Sequence, residues 1–424
     1  MTVLLLSTTT GYQLRSFGDA ARQLGVELIF ATDRCHTLDD PWRDSAIAVR
    51  FHEEDASVDA VIEATRERPL QGVIAVGDRP VVLAARIAER LGLPGNPREA
   101  ARASAHKRQA RELFARAGLP VPWYVPLPAN RDLEAVLDRV RYPAVLKPVG
   151  LSGSRGVIRV NDAEELRAAH RRVVALLARP EIRALRTGAE QEMLIENYIP
   201  GREYAVEGLL TYGRFRTLAI FDKPDPLDGP FFEETIYVTP TPLAPDRQRA
   251  VEVTIARAAQ ALGLWHGPVH AECRVNAEGV HILEVAARPI GGLCSRVLRF
   301  VGGEAGPAEP RSLEWLLMRH AVGKDVSDLR REELAGAVMM IPIPRRGMFR
   351  SVDGEQAAAR VPGVEEVRIT AKRDHPIEPL PEAGSYLGFI FARAPTGPEA
   401  EAAVRTAHRH LQFAIDPAID VRPV

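Results

Sequence analysis

The feature that most restricts what this chain can fold into is the alternation in its first ~95 residues. Short apolar runs, Val3–Leu6, Glu27–Ala31 and Gly72–Val76, take turns with amphipathic stretches, Tyr12–Leu24, Val58–Arg66 and Val81–Leu91. Strand-period segments separated by helix-period segments predict a small doubly wound α/β sheet. Leu93-Pro94-Gly95-Asn96-Pro97 breaks the pattern. A helix is expected over about Arg98–Ala117, and Gly118-Leu119-Pro120 stops it.

Beyond that point the texture is mixed. Strand-like segments around Tyr124 and over Ala144–Lys147 lead into a Gly/Ser loop, and a helix is expected over about Ala163–Leu177. Strands follow at Glu192–Ile199, Tyr204–Leu210 and Arg216–Phe221. The segment Asp222–Phe231, with three prolines, reads as a mobile loop long enough to suspect a function. A helix at Val251–Leu262 precedes a hairpin made of Val269–Val275 and His281–Arg288. After the break Gly302–Pro310 comes a helix at Leu313–Ala321. Strands at Ala337–Ile343, Val364–Ile369 and Tyr386–Ala392 and a last helix over about Pro398–Phe413 read as an α+β cap.

At 424 residues, two to four domains are expected. Hydrophobic content of 46%, charged content of 26% and a net charge of -1 describe a soluble globular chain. They give no electrostatic case for nucleic acid or an anionic membrane as partner. Cys35, Cys273 and Cys294 have neither metal-site nor disulfide-framework spacing, which fits a reducing cytosol. Met1–Leu6 lacks the basic flank of a signal peptide, and no apolar stretch approaches a membrane span. A cytoplasmic location is therefore expected.

Of 55 basic residues besides histidine, only five are lysine: Lys107, Lys147, Lys223, Lys324 and Lys372. In a chain that prefers arginine, a retained lysine is either chance or a place where a compact ammonium is needed, since the two are not interchangeable at a tight site; three of the five fall inside the motifs below.

In the hairpin, His270, Glu272 and Arg274 share one face of the first strand, and Glu284, Ala286 and Arg288 share one face of the second. A three-residue turn Ala277-Glu278-Gly279 would pair Asn276 with Val280, Cys273 with Leu283 and Glu272 with Glu284. Two carboxylates directly opposite repel, so they need a cation, a shared proton or open water. Mg²⁺ suits all-oxygen ligation and arrives with phosphates. Two solvated glutamates are the plain alternative, which the apolar neighbours Val280, Ile282, Leu283 and Val285 disfavour. Arg288, followed by Pro289-Ile290-Gly291-Gly292, is placed either to clamp a carboxylate or acyl phosphate or to make a structural salt bridge.

Val145-Leu146-Lys147-Pro148 reads as a buried strand ending in a lysine. The following Gly150–Val157 loop offers backbone N–H groups to phosphate oxygens. It is neither a Walker A motif nor a dinucleotide fingerprint. With Glu272 and Glu284 downstream, the order of motifs resembles the ATP-grasp superfamily, and within it the L-amino-acid ligase (dipeptide synthetase) branch, along nearly the whole chain.

The resemblance implies an ATP-grasp fold, α/β plus α+β. An N-terminal doubly wound, Rossmann-like preATP-grasp domain would occupy residues 1–95. A two-lobed ATP-grasp domain would occupy 96–305, with lobes at about 120–190 and 191–305, and a small cap 306–424. By the same likeness Lys107 and Lys147 contact the α- and β-phosphates of ATP, with Ser152, Gly153, Ser154 and Gly156 in the phosphate loop. Glu196 and the backbone near Tyr198 and Ile199 meet adenine, and Glu203 the ribose. Lys223 looks like a γ-phosphate contact on a lid. Glu234, in Phe232-Glu233-Glu234, looks placed to pair with a substrate ammonium. Glu272 and Glu284 resemble the metal ligands, for Mg²⁺ or alternatively Mn²⁺, and Arg288, Gly291 and Gly292 the substrate strand. Many relatives carry Asn two residues after the second metal glutamate, where this chain has Ala286, which leaves the number of ions open. His270 is either a general base or a histidine satisfied inside the fold.

The implied function is ATP-dependent ligation of a carboxylate to an amine through an acyl phosphate, with amino acids as substrates and ADP and phosphate released. The sequence does not fix the oligomeric state; a homodimer is the commonest assembly. Two rivals share the ATP half: an ATP-grasp enzyme of nucleotide biosynthesis or carboxylation, and a non-catalytic nucleotide-binding sensor.

Overall fold

The computed structural model describes residues 1–8, 13–33, 46–186, 188, 191–302 and 309–418. Tyr12, Cys35 and most of the Gly302–Pro310 break lie outside the described residues. The chain divides into two compact units, each built from separate stretches. The first is Met1–Val121, Tyr204–Ile220 and Leu243–Glu332. The second is Pro122–Glu203, Phe221–Pro242 and Glu333–Val424.

In the first unit the expected alternation forms a parallel sheet, in the order Ile47–Ala48, Glu27–Thr32, Thr2–Ser7 and Gly72–Val76. Thr2–Ser7 is central and buried at every position, as expected of a parallel strand covered on both faces. The flanking helices are Leu14–Leu24, Glu54–Ala64 and Val81–Leu91. The first and third end on Gly25 and Gly92 in the left-handed conformation, which L-residues with a Cβ resist.

Helix Leu313–Ala321 packs on helix Leu14–Leu24 and on strand Gly72–Val76. A Cβ at Gly72 would lie 2.4 Å from the Ala321 carbonyl oxygen, so only glycine permits that approach. The long helix predicted over about Arg98–Ala117 is in fact two, Arg98–Ser104 and Lys107–Arg116. His106 between them is extended and caps the second. Lys107 thereby becomes the first residue of a helix rather than a mid-helix position.

The same unit holds the strands Gly279–Ala286, Gly267–Asn276, Arg202–Thr211 and Arg214–Asp222, in that order, the first two paired antiparallel; the outer ends of the last two belong to the second unit. Helix Pro245–Leu262 covers them, with Pro245 at its first turn. Val251, Ile255, Ala258, Ala259 and Leu262 share one core with Val269, Ala271, Cys273, Ile282 and Val285.

The second unit contains an antiparallel sheet in the order Tyr124–Pro128, Glu192–Asn197, Ala144–Pro148 and Ile158–Val160. Helix Ala163–Leu177 lies on it, capped by Asp162, whose carboxylate accepts from Glu164 N and Glu165 N. The unit also contains strands Ile236–Thr239, Ala335–Ile341, Gly388–Ala394 and Val364–Ile369, paired antiparallel in that order. Helix Gly397–His410 packs on them and starts with a full capping box, Thr396 with Glu399. The last helix expected to run to Phe413 stops at His410, and the chain continues as strand Gln412–Pro417 beside Gly347–Asp353. Among the described residues no helix is long and apolar enough to cross a membrane.

Candidate active site

The hairpin of the first unit pairs Glu272 directly with Glu284. The route to that pairing differs from the expected one. Asn276 pairs with Gly279, not Val280, and Cys273 with Ile282, not Leu283. The turn is one residue shorter than predicted, because the Asn276 side chain accepts from Glu278 N at 2.9 Å and from Gly279 N at 3.2 Å, an Asx turn. A register shift between Glu272 and Cys273 then restores the pairing. Leu283 is the extra residue of this bulge. The side-chain faces follow: Val280 and Ile282 join the core, and after the bulge so do Val285 and Ala287. The guanidinium of Arg111, itself 2% exposed, donates to the Leu283 carbonyl at 3.0 Å.

Around this pair stand further ionic groups of the same unit. Lys107 Nζ lies 3.9 Å from Glu284. His270 Nδ1 lies 2.5 Å from Glu207 Oε1, and its Nε2 faces Glu272 at 3.8 Å. Glu207 is 1% exposed. Burial opposes a charge on His270, but the Glu207 carboxylate and its hydrogen bond outweigh it and hold the imidazole pKa up at about 9. Nδ1 is thus taken by Glu207 within the chain, and Nε2 is turned toward the carboxylate pair.

Arg288 is 8% exposed and forks onto Asp78, Nε to Oδ1 at 2.7 Å and Nη2 to Oδ2 at 3.3 Å, with Nη1 donating to the Pro289 carbonyl at 3.1 Å. Burial works against its charge, yet Asp78 leaves the guanidinium more basic than usual. A structural salt bridge is therefore present, and any substrate would meet the fork's outer hydrogens. Gly291 is exposed with open space where a Cβ would stand, and Gly292 takes φ +60°.

The second unit gathers the other predicted residues. Lys147 and Glu196, 6% and 3% exposed, form a buried ion pair from neighbouring strands. Tyr198 N donates to the Pro143 carbonyl, and Ile199 is buried. Lys223 is 3% exposed and spans two carboxylates, Glu203 at 2.7 Å and Glu234 at 2.6 Å, with the Tyr237 ring 4.8 Å away. Glu234, expected to face a substrate ammonium, thus meets a lysine.

The Asp222–Phe231 segment is tied down rather than a free flap. Arg202 forks onto Asp222 at 2.7 and 2.6 Å. Arg405 holds Asp225 at 2.5 Å, and the Tyr198 hydroxyl donates to Asp228 at 2.8 Å. Leu227 and Phe232 pack with Val145. Prolines and aspartates suggest a loop in sequence, but these aspartates are anchors.

In the phosphate loop Ser152 and Gly153 are exposed, and Gly153, Ser154 and Gly156 all have positive φ, 65°, 55° and 69°. The N–H of Gly156 is taken by the Pro381 carbonyl at 2.7 Å, so it is not among the donors available to a phosphate.

Three residues were missed: Asp78, Glu207 and Arg111. Two had a signal. Asp78 follows the C-terminal end of parallel strand Gly72–Val76, where ligand groups of α/β sheets collect. Glu207 is an acid inside the otherwise apolar run Tyr204–Leu210. Arg111 had none, because nothing local shows which carbonyl it will reach.

Comparison with known proteins bears on the family of the chain. Three family models match: an ATP-grasp N-terminal domain over residues 18–95, an ATP-grasp domain over residues 140–297, and L-amino acid ligase C-terminal domain 2 over residues 339–416. A solved L-amino acid ligase from Bacillus licheniformis is 26% identical, with a TM-score of 0.81 over 98% of this chain and 99% of that one. The alanine–anticapsin ligase of Bacillus subtilis is 29% identical over 222 residues, 49% of this chain and 46% of that protein. Carnosine synthase 1 of Gallus gallus is 31% identical over 313 residues, 69% of this chain and 33% of that protein. The chain spans about half and about a third of the length of these two curated relatives.

Proposed function

This chain is an ATP-grasp protein of the L-amino-acid-ligase type, and from that premise we propose that it joins the carboxylate of one amino acid or amino-acid-like molecule to the amine of another, converting ATP to ADP and phosphate. The observation that carries the reading is the direct opposition of Glu272 and Glu284, with Lys107 3.9 Å from Glu284. Facing carboxylates at cross-strand distance repel, and a cation between or beside them relieves that repulsion.

A hard divalent ion fits these donors. Both glutamates are partly exposed, both offer oxygen, and the buried Glu207–His270 pair stands behind Glu272. Glu272 and Glu284 would hold Mg²⁺, which would supply positive charge to neutralise phosphate oxygens.

The residues of the chain do the rest by binding and orientation. Lys107 and Lys147 lower the charge of the α- and β-phosphates, and the exposed Ser152-Gly153 tip covers them. Glu196 and the Tyr198–Ile199 backbone receive adenine, and Glu203 the ribose. Lys223 approaches the terminal phosphate by exchanging one of its two carboxylate partners, which releases Glu234 for a substrate ammonium. A carboxylate oxygen attacks the γ-phosphorus and ADP leaves, giving an acyl phosphate. The neutral amine nitrogen then attacks the carbonyl carbon, and the tetrahedral adduct collapses to the amide as the C–O bond to phosphate breaks, the departing phosphate taking the amine's proton. Arg288, oriented by Asp78, faces the charge that develops on the acyl phosphate. Losing one such contact removes roughly 3–4 kcal/mol of transition-state stabilisation.

The test is ADP release by the purified chain with Mg²⁺ and a matrix of amino acid pairs, with products identified by mass spectrometry. ADP that appears only with a pair, together with a dipeptide mass, is the expected result. ADP with a nucleotide-precursor amine or bicarbonate alone would move the assignment to another ATP-grasp reaction. ATP binding without turnover under every condition would make the chain a sensor.

A further inference from the structure

The phosphate loop is held from behind by a segment more than two hundred residues later in the same unit. Gly156 N donates to the Pro381 carbonyl at 2.7 Å, and Arg155 Nε to the Glu382 carbonyl at 3.4 Å. Arg172, on the helix that follows the loop, forks onto Glu382 through Nε and Nη2. Arg179, beyond the end of that helix, forks onto Glu378 at 2.7 and 3.1 Å. The two backbones nearly touch: a Cβ built on Gly384 would lie 3.2 Å from the Gly153 carbonyl oxygen and 2.9 Å from the Arg155 Cγ.

These contacts are not part of a solid core. A cavity of about 1000 Å³ lies beside them, lined by Arg155, Arg179, Glu378, Glu382 and Gly384 among others. Leu151 and Val157 anchor the two ends of the loop in apolar contacts, while on the cavity side the positions of Arg155 and Gly156 rest on the hydrogen bonds and forks named. Three residues of the loop also sit at positive φ. Ser154 is strained there, since only glycine adopts that region freely, and such a conformation persists where surrounding contacts over-determine it.

We propose that the segment Glu378–Gly384 positions the phosphate loop for ATP, with Glu382 as a positioning residue and Gly384 required for the close approach. The inference rests on the reading that the Gly150–Val157 loop binds the nucleotide's phosphates. It gives the C-terminal part of the chain a role in ATP affinity: anything that shifts Glu378–Gly384 also shifts the loop.

Two variants and a control test it, with ATP binding measured by calorimetry and KM and kcat measured for each substrate. Gly384→Val adds a branched side chain where the Gly153 carbonyl and the Arg155 stem stand. It is expected to weaken ATP binding and raise the ATP KM by about tenfold or more, with kcat at saturating ATP and the amino acid KM little changed. Glu382→Gln keeps the segment's shape and loses the Arg172 fork. It is expected to raise the ATP KM by a few-fold in a chain that stays folded by circular dichroism. Lys147→Met reports on the underlying reading, since it removes a proposed phosphate contact outright. If Lys147→Met weakens ATP binding while Gly384→Val and Glu382→Gln both leave it unchanged, the positioning role is wrong and the nucleotide assignment stands. If Lys147→Met has no effect on ATP binding, the nucleotide assignment itself fails. A uniform fall in kcat for every substrate with no change in ATP KM would mean a merely structural contact and would also overturn the proposal.

Discussion

Arg111 donates a hydrogen bond to the carbonyl of Leu283 at 3.0 Å, from a helix 172 residues earlier in the chain. Leu283 is the residue that the hairpin's register shift leaves over, and without that shift Glu284 would fall out of line with Glu272. A bulge leaves backbone groups outside the ladder, and a guanidinium donor satisfies one of them. The arginine thus holds the site's geometry although it is nearly inaccessible to solvent.

Arg111→Met should therefore damage both stability and metal binding. Leaving a buried carbonyl without its charged donor costs about 1–3 kcal/mol, read as a lower urea midpoint. Loss of the register should weaken Mn²⁺ binding by about tenfold, read by electron paramagnetic resonance. A variant with a lower midpoint and native Mn²⁺ affinity would show that the bulge stands without Arg111.

Glu284→Gln separates repulsion from ligation. Without metal, two facing carboxylates oppose folding, so the variant should melt at the same temperature as the parent chain or higher. Added Mg²⁺ should raise the melting temperature of the parent and not of the variant. Amino-acid-dependent ADP release should fall by about a hundredfold or more. If Mg²⁺ stabilises the variant as well as the parent, the ion binds elsewhere.

The parts of the molecule legible in sequence are those set by local pattern. Strand Gly72–Val76 and helices Val81–Leu91, Ala163–Leu177 and Leu313–Ala321 have the expected bounds, because apolar period and terminating glycines or caps agree there. The break at His106 was not read, since Arg98–Ala117 keeps helical periodicity through it and only the extended cap residue interrupts it. The opposition of Glu272 and Glu284 came out right through two compensating differences, a shorter turn and a bulge. The phase change from Val280 and Ile282 to Leu283 and Val285 was a visible trace of the bulge. The partners of Arg288 and Lys223 were not readable at all. Asp78, Glu203 and Glu234 are brought to them by the fold, and pairing of distant charges leaves no periodicity in the chain.

Lys147 and Glu196 form a buried pair, so the chain should tolerate removal of both better than of one. Lys147→Met leaves a carboxylate buried without its ammonium and is expected to cost about 3–5 kcal/mol. The double variant Lys147→Met, Glu196→Leu should recover most of that loss, because two apolar side chains satisfy each other's surroundings. Chemical denaturation of the three variants forms the cycle. Strict additivity of the single losses would mean that the two groups are not coupled. ATP binding should be lost in the double variant despite its restored stability.

His266 and His320 supply a pH dependence apart from the catalytic groups. Their rings stack with centroids 4.3 Å apart, and His320 Nε2 lies 2.9 Å from the Thr211 hydroxyl. Burial lowers the pKa of His266 from 6.5 to about 4. Burial, then the neighbouring His266 and Arg216 charges, lowers that of His320 from 6.5 to about 3. The unfolded chain therefore binds more protons than the folded one below the ordinary histidine range. Stability that comes from keeping both rings neutral is whole above about pH 6.5 and drains away as pH falls toward the folded values. At pH 5 each ring accounts for a loss of about 2 kcal/mol. His266→Phe keeps an aromatic ring in the stack and removes one titrating group. Its melting temperature should drop less between pH 7 and pH 5 than that of the parent chain. Parallel curves for the two would assign the acid sensitivity to other groups.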